Sequence, residues 1–369
     1  MTLRVAIIHY WLFHMRGGEK VLEALCEMFP QADIFTHVLD REKLSPVIQK
    51  HRIETTFISR MPMARKLYQK YLPFMPRALE ELDLNTYDLV ISSEAGPAKG
   101  VIARPDALHI CYTHSPMRYL WDQYHIYFQR AGGFTKLVMP HLVHELRKWD
   151  VTSAARVDAF AANSNHVAKR IRKYWRREST VVFPPVAVDS FGPVPASERA
   201  PFFLWAGELV SYKRPDLAVE AFNRLGLPFV VIGDGPERKP LEAIARPNIT
   251  FLGKVPFDVL KSHYARCQAL VFPGEEDFGI IPVEVMASGR PVIAYERGGA
   301  LDTVVPGVSG QFFQDASVEG LIAAIEQFTR TAGDFDPQAA MTHARQFAPE
   351  RFKDGMRALI AANGVDIGG

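Results

Sequence analysis

The stretch that most constrains the fold is residues 268–305, which read QALVFPGEEDFGIIPVEVMASGRPVIAYERGGALDTVV. Its apolar run Ala269–Phe272 predicts a buried parallel strand. A loop with two glycines and three acids follows, and Pro282 predicts the start of a helix that Gly289 ends. Pro291–Ala294 predicts the next strand. A strand, a loop, a short helix and a strand form the unit whose loop gathers ligands at the carboxyl edge of an open α/β sheet.

Two glutamates of this stretch, Glu276 and Glu284, have seven residues between them. Glu276 falls in the predicted loop, and Glu284 falls in the first turn of the predicted helix. The backbone amides of Phe278–Ile281 lead into the helix N-terminus, which favours an anion. A phosphate could lie at these amides while the two carboxylates accept hydrogen bonds from hydroxyl groups on either side. A sugar nucleotide has this order of hydroxyls, diphosphate and hydroxyls.

The run Glu276–Glu284, EDFGIIPVE, resembles the E-x7-E motif of retaining glycosyltransferases of family 4. The glycine pair Gly298-Gly299 and the ASGRPVI run after the helix strengthen the resemblance, which covers nearly the full chain. It implies the α/β fold called GT-B, with two Rossmann-like domains facing a central cleft and a C-terminal helix crossing back to the first domain. The alternative is an ordinary strand–helix–strand unit with a solvated acidic loop.

Length and composition agree with two domains. A chain of 369 residues corresponds to about two domains, and 48% hydrophobic residues are enough for two cores. The segment Phe183–Pro201 is rich in proline and small residues, which is typical of a domain boundary. We predict an acceptor-binding Rossmann-like domain over residues 1–183 and a linker over 184–200. A nucleotide-sugar-binding Rossmann-like domain over 201–348 and a returning helix over 349–369 complete the prediction.

Composition also excludes several classes of protein. A net charge of +2 gives no global drive toward nucleic acid, so no nucleic-acid partner is expected. The three cysteines are widely spaced, which fits buried thiols in a reducing cytoplasm better than a disulfide framework. No apolar run approaches the roughly 18 residues of a membrane span. The N-terminal sequence MTLRVAIIHYW has no signal-peptide cleavage region. We therefore expect a cytoplasmic protein.

Two basic segments are candidates for contact with an anionic membrane surface. Residues 60–84 interleave aromatic and apolar side chains with Lys and Arg, and Asn163-Ser164 predicts the cap of a helix reading HVAKRIRKYWRRES. Near anionic lipid each basic residue contributes on the order of 1 kcal/mol. The basic side chains of the helix, placed on its polar faces, are Lys169, Arg170, Arg172, Lys173, Arg176 and Arg177. The alternatives are a helical excursion packed on its own domain and an ordinary solvated helix. The membrane interpretation predicts a peripheral protein on the inner face of the cytoplasmic membrane.

In the first half, Gly17-Gly18 follows the predicted strand Val5–His9 and precedes a predicted helix beginning at about Glu19. Two glycines let a phosphate approach the backbone closely, although many such turns use glycine only to make the turn. The resembled family carries a G-G-x-E-like element here, near the diphosphate and the acceptor, and Gly17-Gly18-Glu19 matches it.

His114 follows the predicted strand His109–Thr113, at the edge of a parallel sheet where sites collect. A lone histidine is more often structural. In the resembled family, a histidine or similar polar group here contacts the donor sugar near its 6-hydroxyl and the reaction centre. The run CYTHSPMRYLWD is similar to a subgroup that builds bacterial surface polysaccharides, in which mannosyltransferases are frequent.

One position departs from the family pattern. The family usually has an arginine directly after the glycine that follows the first strand of the second domain, and a lysine a few residues later, and these cations hold the diphosphate. Lys213 matches the lysine, but position 208 is Glu208. Because a carboxylate beside a diphosphate is repulsive, either Glu208 turns away, or Arg214 or another cation takes over, or catalysis is weak.

The resemblance implies a set of site residues that also includes the tight turn at Gly233 and a base-contacting backbone at Lys254 and Val255. The residues with an expected catalytic role are His114, Glu276 and Lys213. The residues expected to bind substrate are Gly17, Gly18, Glu208, Arg214, Gly233, Lys254, Val255, Phe278, Gly279, Ile280, Ile281 and Glu284. Glu276 is expected to hold sugar hydroxyls, and Glu284 the ribose.

The expected activity is retaining transfer of a hexose, with mannose from GDP-mannose preferred, to a lipid-linked saccharide in surface-polysaccharide or lipopolysaccharide synthesis. The expected partners are the nucleotide-sugar donor, the lipid-linked acceptor and an anionic membrane surface. No metal or other cofactor is expected. The alternatives are a UDP-hexose transferase of the same fold, a sugar-nucleotide epimerase, and a nucleotide-sugar binder whose catalysis has lapsed, which the Glu208 departure motivates.

Overall fold

The computed structural model describes residues 3–367. Within this range the chain divides into two compact units, one formed by the described residues up to Pro185 together with those from Glu350 onward, and the other by Val186–Pro349. The segment predicted as a linker is therefore shared between them, because everything from Val186 onward groups with the second unit. In that unit the Phe191 ring lies 5.8 Å from the Phe257 ring and 6.1 Å from the Tyr264 ring, centroid to centroid.

The first unit is built on a seven-stranded parallel sheet in the order β3-β2-β1-β4-β5-β6-β7. Its strands are β1 (Val5–His9), β2 (Asp33–Thr36), β3 (Ile53–Thr55), β4 (Leu89–Glu94), β5 (Leu108–Thr113), β6 (Ala159–Ala162) and β7 (Thr180–Val181). Strands β1, β4 and β5 are buried along their whole length, as expected of central strands covered on both faces. The strand order reverses direction between β1 and β4, which makes their carboxyl ends a topological switch point.

The second unit is built on a six-stranded parallel sheet in the order β10-β9-β8-β11-β12-β13. Its strands are β8 (Phe203–Ala206), β9 (Phe229–Ile232), β10 (Ile249–Gly253), β11 (Leu270–Phe272), β12 (Val292–Tyr295) and β13 (Gly310–Phe313). The switch point of this sheet lies between β8 and β11. Each unit is thus an open parallel sheet with connecting helices, and the prediction of two Rossmann-like domains is confirmed.

Helices connect the strands in both units. Those of the first unit before the boundary are α1 (Gly17–Met28), α2 (Pro46–Gln49), α3 (Ala64–Leu67), α4 (Met75–Glu80), α5 (Tyr124–Arg130), α6 (Gly133–Ala154) and α7 (Asn165–Tyr174). Those that follow are α8 (Pro215–Leu225), α9 (Arg238–Ile244), α10 (Phe257–Arg266), α11 (Ile280–Ala287), α12 (Ala300–Thr303), α13 (Val318–Thr331), α14 (Pro337–Ala344) and α15 (Pro349–Ala362). Short 3-10 turns cover Arg41–Lys43, Phe57–Arg60, Tyr68–Phe74, Val188–Ser190, Ala196–Glu198, Ser211–Lys213, Ala332–Asp334 and Arg345–Phe347. No helix within residues 3–367 has both the length and the apolar character to cross a membrane.

The C-terminal helix α15 completes the core of the first unit. Its buried Phe352, Met356 and Ile360 belong to the same apolar cluster as Leu22 of α1 and Ile7 of β1. Each such side chain contributes roughly 1.5–3 kcal/mol when it leaves water. The chain therefore returns to its first unit after building the second.

The basic helix α7 differs from its prediction in its end and at three arginines. It ends at Tyr174, so Arg176 and Arg177, predicted on its polar faces, lie beyond it. Arg177 is half-buried and donates to the Ala154 carbonyl at 2.6 Å.

Arg170 is 6% exposed, and its guanidinium donates to the Ser115 hydroxyl at 2.6 Å and pairs with Asp122 at 2.7 Å. The prediction that Arg170 lies on a solvated face is wrong, because its partners come from the loop after β5, more than 45 positions earlier in the chain. Lys169, Arg172 and Lys173 are exposed.

The segment over residues 60–84 is a helical excursion packed on the first unit. Met75 and Ala78 of α4 join a buried cluster with Ile58. Met63 and Phe74 remain exposed, at 67% and 50%. The structure therefore agrees with the interpretation of this segment as a packed helical excursion.

Candidate active site

At the switch point of the second sheet, the loops after β8 and β11 bring Lys213 and Glu276 together. The Lys213 Nζ lies 2.9 Å from Oε1 and 3.0 Å from Oε2 of Glu276, and the two side chains are 13% and 19% exposed. Burial lowers the pKa of Lys213. The nearby carboxylate of Glu276, together with Tyr212 and Glu208, raises it by more than burial lowers it, so the pKa lies above its usual value. The edge of the sheet therefore holds a charged, half-buried lysine beside an acceptor of hydroxyl hydrogen bonds.

Glycines set the position of the Glu276 loop. A Cβ on Gly274 would lie 2.6 Å from the Lys213 Cα, so the two loops touch backbone to backbone. The Gly299 amide donates to the Glu276 carbonyl at 2.8 Å, and a Cβ on Gly299 would lie 2.3 Å from the Phe278 Cα. The pair Gly298-Gly299 after β12 thus holds the acidic loop from the side opposite Lys213's loop.

The loops after β8, β9 and β10 meet in the same way. Gly233 has a φ of +136°, and a Cβ there would lie 1.7 Å from the Gly207 carbonyl oxygen, so only glycine fits. Its amide donates to the Gly253 carbonyl at 2.9 Å. Lys254 follows and is exposed, and Val255 is half-buried. These three predicted nucleotide contacts therefore lie along one carboxyl edge with Lys213 and Glu276.

The side chain of Glu208, which departs from the family pattern, is exposed to solvent. It is still close enough to contribute to the raised pKa of Lys213. Arg214, the predicted replacement cation, has a left-handed backbone with a φ of +53°. Its Nε lies 3.1 and 3.0 Å from the two carboxylate oxygens of Asp216. In this arrangement Lys213 is paired with Glu276 and Arg214 with Asp216, and a diphosphate contact by Arg214 stays a prediction.

Helix α11 presents its N-terminus at this edge. It begins at Ile280, so the prediction that Pro282 is the first helical residue is wrong. The reason is that Gly279, with a φ of +92°, already turns the chain into the helix. Phe278 is buried, with its ring 5.5 Å from the Phe347 ring, while Ile280 and Ile281 of the first turn are half-buried. The amides of this turn point along the start of the helix, where an anion is favoured.

Glu284 of α11 is partly buried, and Tyr264 of α10, which is 1% exposed, is its polar neighbour. Burial raises the pKa of Glu284 to about 7, while the Tyr264 hydroxyl acts in the opposite direction. The carboxyl group is therefore poised between its neutral and ionised forms near neutral pH, which sequence spacing does not reveal.

In the first unit, the glycine pair opens α1. The helix begins at Gly17, and the Arg16 amide donates to the Glu19 carboxylate at 3.0 Å, closing a capping box. A Cβ on Gly18 would lie 2.5 Å from the Tyr10 hydroxyl oxygen, so the absence of a side chain allows the first turn of α1 to lie against the end of β1.

His114 lies directly after β5 and belongs to a chain of three polar side chains. Its Nε2 is 2.8 Å from the Ser93 hydroxyl oxygen, which is 3.0 Å from Nδ1 of His9. His9 ends β1 and Ser93 lies near the end of β4, so the chain crosses the switch point of the first sheet. Burial, and then the neighbouring His114, lowers the pKa of His9 well below its usual value.

A buried ionic cluster fixes the loop after β4. Lys99, Glu94 and Asp150 have fully buried side chains, and the Lys99 ammonium pairs with both carboxylates. Asp150 also accepts from the indole nitrogens of Trp121 at 2.8 Å and Trp175 at 2.7 Å. Removing one member of such a cluster costs about 3–5 kcal/mol, because a buried charge is left without its partner. The cluster ties α6, α7 and the loop after β5 to β4, beside Ser93.

Sequence reasoning missed His9, Ser93 and Tyr264. His9 and Ser93 carry the signal used for His114, a polar side chain at the carboxyl end of a central strand, and that rule could have found them. Tyr264 has no local signal, because its role depends on the packing of α10 against α11. Within residues 3–367, no group of three or more His, Cys, Asp or Glu side chains is arranged to hold a metal ion.

Two open parallel sheets with glycine-lined switch points define the class of α/β proteins that bind nucleotides at the carboxyl ends of their strands. Comparison with known proteins identifies the family within this class. Residues 15–190 match the family model Glycosyltransferase Family 4, and residues 189–342 match the model Glycosyl transferases group 1. Between them the two matches cover residues 15–342, and the chain belongs to glycosyltransferase family 4, of the GT-B type.

Individual relatives agree with this assignment. The chain is 31% identical over 159 residues to a GDP-mannose-dependent alpha-mannosyltransferase of Mycolicibacterium smegmatis, a match covering 42% of each chain. It is 26% identical over 297 residues to the O-antigen chain mannosyltransferase C of Escherichia coli, covering 72% of this chain and 71% of that one. For several curated relatives the matched part is only 32%, 53% or 42% of the relative's length.

Solved structures support the fold. The chain superposes on HepE of Anabaena, solved with UDP, with a TM-score of 0.73 at 15% identity, covering 98% of this chain and 100% of that one. At this identity the likeness concerns the fold.

Proposed function

We propose that this protein is a retaining hexosyltransferase that moves a sugar from a nucleotide diphosphate to an acceptor hydroxyl. The observation that carries the proposal is the half-buried Lys213–Glu276 pair at the switch point of the second sheet, next to the N-terminus of α11. A cation and helix amides suit a diphosphate, and a carboxylate suits sugar hydroxyls. Membership of the family supports the same chemistry.

The proposed reaction exchanges one bond at the anomeric carbon. The bond from that carbon to the diphosphate oxygen breaks, and a bond to the acceptor oxygen forms on the same face, so the configuration is retained. The acceptor proton passes to the departing diphosphate. Lys213 and the α11 amides stabilise the negative charge that develops on the diphosphate, which is electrostatic catalysis by groups already in place. The step requires no metal in this proposal, and activity is expected to persist in a chelating buffer.

The remaining site residues take binding roles. Glu276 accepts hydrogen bonds from hydroxyls of the transferred sugar, and in doing so exchanges part of its contact with Lys213. Glu284 accepts from the ribose hydroxyls when it is ionised. His114 contacts the sugar near its 6-hydroxyl, and the Gly17-Gly18 turn lies near the diphosphate and acceptor. These assignments follow the family resemblance together with the burial and partners of each side chain.

We propose GDP-mannose as the donor and a lipid-linked saccharide of surface-polysaccharide or lipopolysaccharide synthesis as the acceptor. Support comes from relatives described as a GDP-mannose-dependent alpha-mannosyltransferase and an O-antigen chain mannosyltransferase. A UDP-hexose is the second candidate, because the similarly folded HepE is solved with UDP.

A lipid-linked acceptor suggests that the protein works at a membrane surface. Phe134 and Leu137 at the start of α6 are 80% and 78% exposed, with the exposed Lys136 between them. Exposed aromatic and aliphatic side chains beside a cation are typical of segments that insert shallowly into an anionic lipid interface. We therefore propose peripheral binding to the inner face of the cytoplasmic membrane through this part of the first unit.

The donor is tested by incubating the protein with GDP-mannose and a panel of UDP-hexoses, and measuring binding by calorimetry and donor turnover in a membrane extract. GDP-mannose turnover that Glu276→Gln reduces supports the proposal. If only a UDP-hexose is turned over, that UDP-hexose is the donor and GDP-mannose is not. Tight donor binding with no turnover for any acceptor preparation contradicts an enzyme and indicates a nucleotide-sugar binder.

Membrane binding is tested by co-sedimentation with anionic liposomes. The double variant Phe134→Ser with Leu137→Ser is expected to lose most binding. Leu301→Ser, at a residue 50% exposed in the second unit, is the matched control and is expected to keep it. Equal sedimentation of all three proteins would contradict this surface.

A further inference from the structure

We propose that His9 and Ser93 are positioning residues that hold His114 as the neutral tautomer with its proton on Nδ1. Their contacts set which ring nitrogen of His114 carries the proton, and the catalytic meaning of this tautomer rests on the proposed function. Neither His9 nor Ser93 has an assigned role in the transfer reaction.

The arrangement of the three side chains is set by the sheet. His9 of β1 and Ser93 of β4 are register partners in the parallel ladder, and the next strand, β5, leads directly into His114. His9 and Ser93 are completely buried. The ring of His114 is held from the side by Tyr112, at a centroid distance of 5.1 Å and an interplanar angle of 68°. The three polar groups therefore face one another on rigid elements.

One hydroxyl lies between two imidazole rings. The Ser93 oxygen is 3.0 Å from His9 Nδ1 and 2.8 Å from His114 Nε2. A serine hydroxyl has one proton to donate, although its oxygen can accept. When Ser93 donates to one ring, the other ring must bring its own proton to the contact. The tautomers of the two histidines are therefore coupled through Ser93.

His9 decides the direction of this coupling. Its Nε2 is buried and has no hydrogen-bond partner among residues 3–367. If Ser93 donated to His9 Nδ1, the proton of neutral His9 would be on Nε2, which would leave an N–H buried without an acceptor. Buried N–H groups without an acceptor are rare in folded proteins. A charged His9 would leave the same N–H unpaired and would also bury its charge.

The arrangement with the lower cost places the His9 proton on Nδ1, where it is donated to Ser93. Ser93 then donates to His114 Nε2, so the proton of neutral His114 is on Nδ1. In this tautomer Nδ1 can donate a hydrogen bond to an oxygen of the substrate. If the three hydrogen bonds ran in the reverse direction, Nδ1 of His114 would carry no proton and would accept a hydrogen bond from its partner.

The test is nuclear magnetic resonance of the full chain labelled at the histidine ring nitrogens, recorded without donor or acceptor. Chemical shifts distinguish a protonated from an unprotonated ring nitrogen, and the loss of signals in His114→Gln and His9→Phe assigns them. Both His9 and His114 are expected to be protonated at Nδ1. A His114 protonated at Nε2 in the unsubstituted protein overturns the proposal.

Variants of Ser93 provide the second measurement. Ser93→Ala removes the donor, and His114 is expected to shift toward the Nε2-protonated form that a free neutral histidine prefers. Ser93→Thr keeps the hydroxyl and is expected to restore the original tautomer. An unchanged His114 tautomer in Ser93→Ala overturns the coupling. Because no substrate is present, a failed transferase assay leaves this result intact, and a failed tautomer test leaves the transferase proposal intact.

Discussion

At the scale of single residues, the candidate site depends on a few charged groups whose burial changes their chemistry. Lys213 is the clearest case, since it is half-buried against Glu276 and remains charged. A cation held there before the donor binds needs little reorganisation when charge develops on the diphosphate. Its removal should therefore affect donor binding directly.

Lys213→Met is expected to weaken donor binding by about 10- to 100-fold, because a hydrogen bond to a charged group contributes about 1.5–3 kcal/mol. Titration calorimetry with the donor measures this loss. Lys261→Met, at a lysine that is paired with Asp258 on α10, is the control and is expected to bind normally. Equal affinities for all three proteins would exclude Lys213 from the diphosphate site.

Glu284 gives a prediction about pH. Burial raises its pKa to about 7 from its usual 4.5, so the folded chain binds more protons than the unfolded chain between these values. The contribution of Glu284 to stability is therefore complete below about 4.5 and is lost as the pH rises through about 7. Glu284→Gln is expected to flatten the stability profile across this window.

Chemical denaturation at a series of pH values measures the effect of Glu284. Glu242→Gln, at an exposed glutamate of α9, is the control and should leave the slope in place. A wild-type slope retained by Glu284→Gln would show that another group titrates there.

Part of this residue-scale chemistry was predictable. The E-x7-E spacing predicts Glu276 and Glu284 as site residues and the strand-end rule predicts His114, and their roles stay predictions. The raised pKa of Glu284 was not predictable, because it comes from burial that only the packed structure provides. The buried cluster of Lys99, Glu94 and Asp150 was not predictable either, because charged residues are normally exposed and Asp150 lies 51 positions from Lys99.

At the scale of elements, glycines between strands and helices determine where the functional side chains lie. The Gly298-Gly299 turn after β12 holds the loop that carries Glu276. A larger residue in this turn would move that loop without changing any chemical group of the site.

Gly299→Ala is expected to destabilise the protein by about 1–3 kcal/mol and to weaken donor binding, because its Cβ would lie 2.3 Å from the Phe278 backbone. Gly192→Ala, where no atom lies within 4 Å of the new Cβ, is the control. Denaturation and calorimetry on both variants measure the effects. Normal donor binding by a folded Gly299→Ala protein would show that the Gly298-Gly299 turn does not position the site.

Central strands were the easiest elements to predict. The apolar run predicted as Val5–His9 matches β1 residue for residue, because a strand buried on both faces reads as a continuous apolar run. The long helix α6 was not predicted as an element. Its apolar stripe is narrow and Pro140 lies inside it, so the sequence pattern is weak.

At the scale of the whole molecule, the chain builds two units and closes the first with its last helix. Phe352 of α15 is 1% exposed, and its ring lies 5.4 Å from that of Tyr112, which lies two residues before His114. The fold class follows from alternating strand and helix patterns. The membership of α15 in the first unit came from the family resemblance, because an amphipathic helix alone does not name its partner.

Phe352→Ala is expected to destabilise the first unit by about 3–5 kcal/mol through the cavity it leaves. Phe134→Ala, at a side chain 80% exposed in the same unit, should change stability by about 0.5 kcal/mol or less. Hydrogen exchange at the β1 amides measures the loss within this unit. Unchanged protection in Phe352→Ala would show that α15 does not stabilise the first unit.

The central claim is that this chain transfers a hexose with retention, using the Lys213–Glu276 edge of its second unit. The most direct measurement is transfer of labelled mannose from GDP-mannose to lipid in a membrane extract, followed by determination of the anomeric configuration of the product. The account predicts a product with the donor's α configuration and a large loss of transfer in Glu276→Gln. A product of inverted configuration, or full transfer by Glu276→Gln, would contradict it.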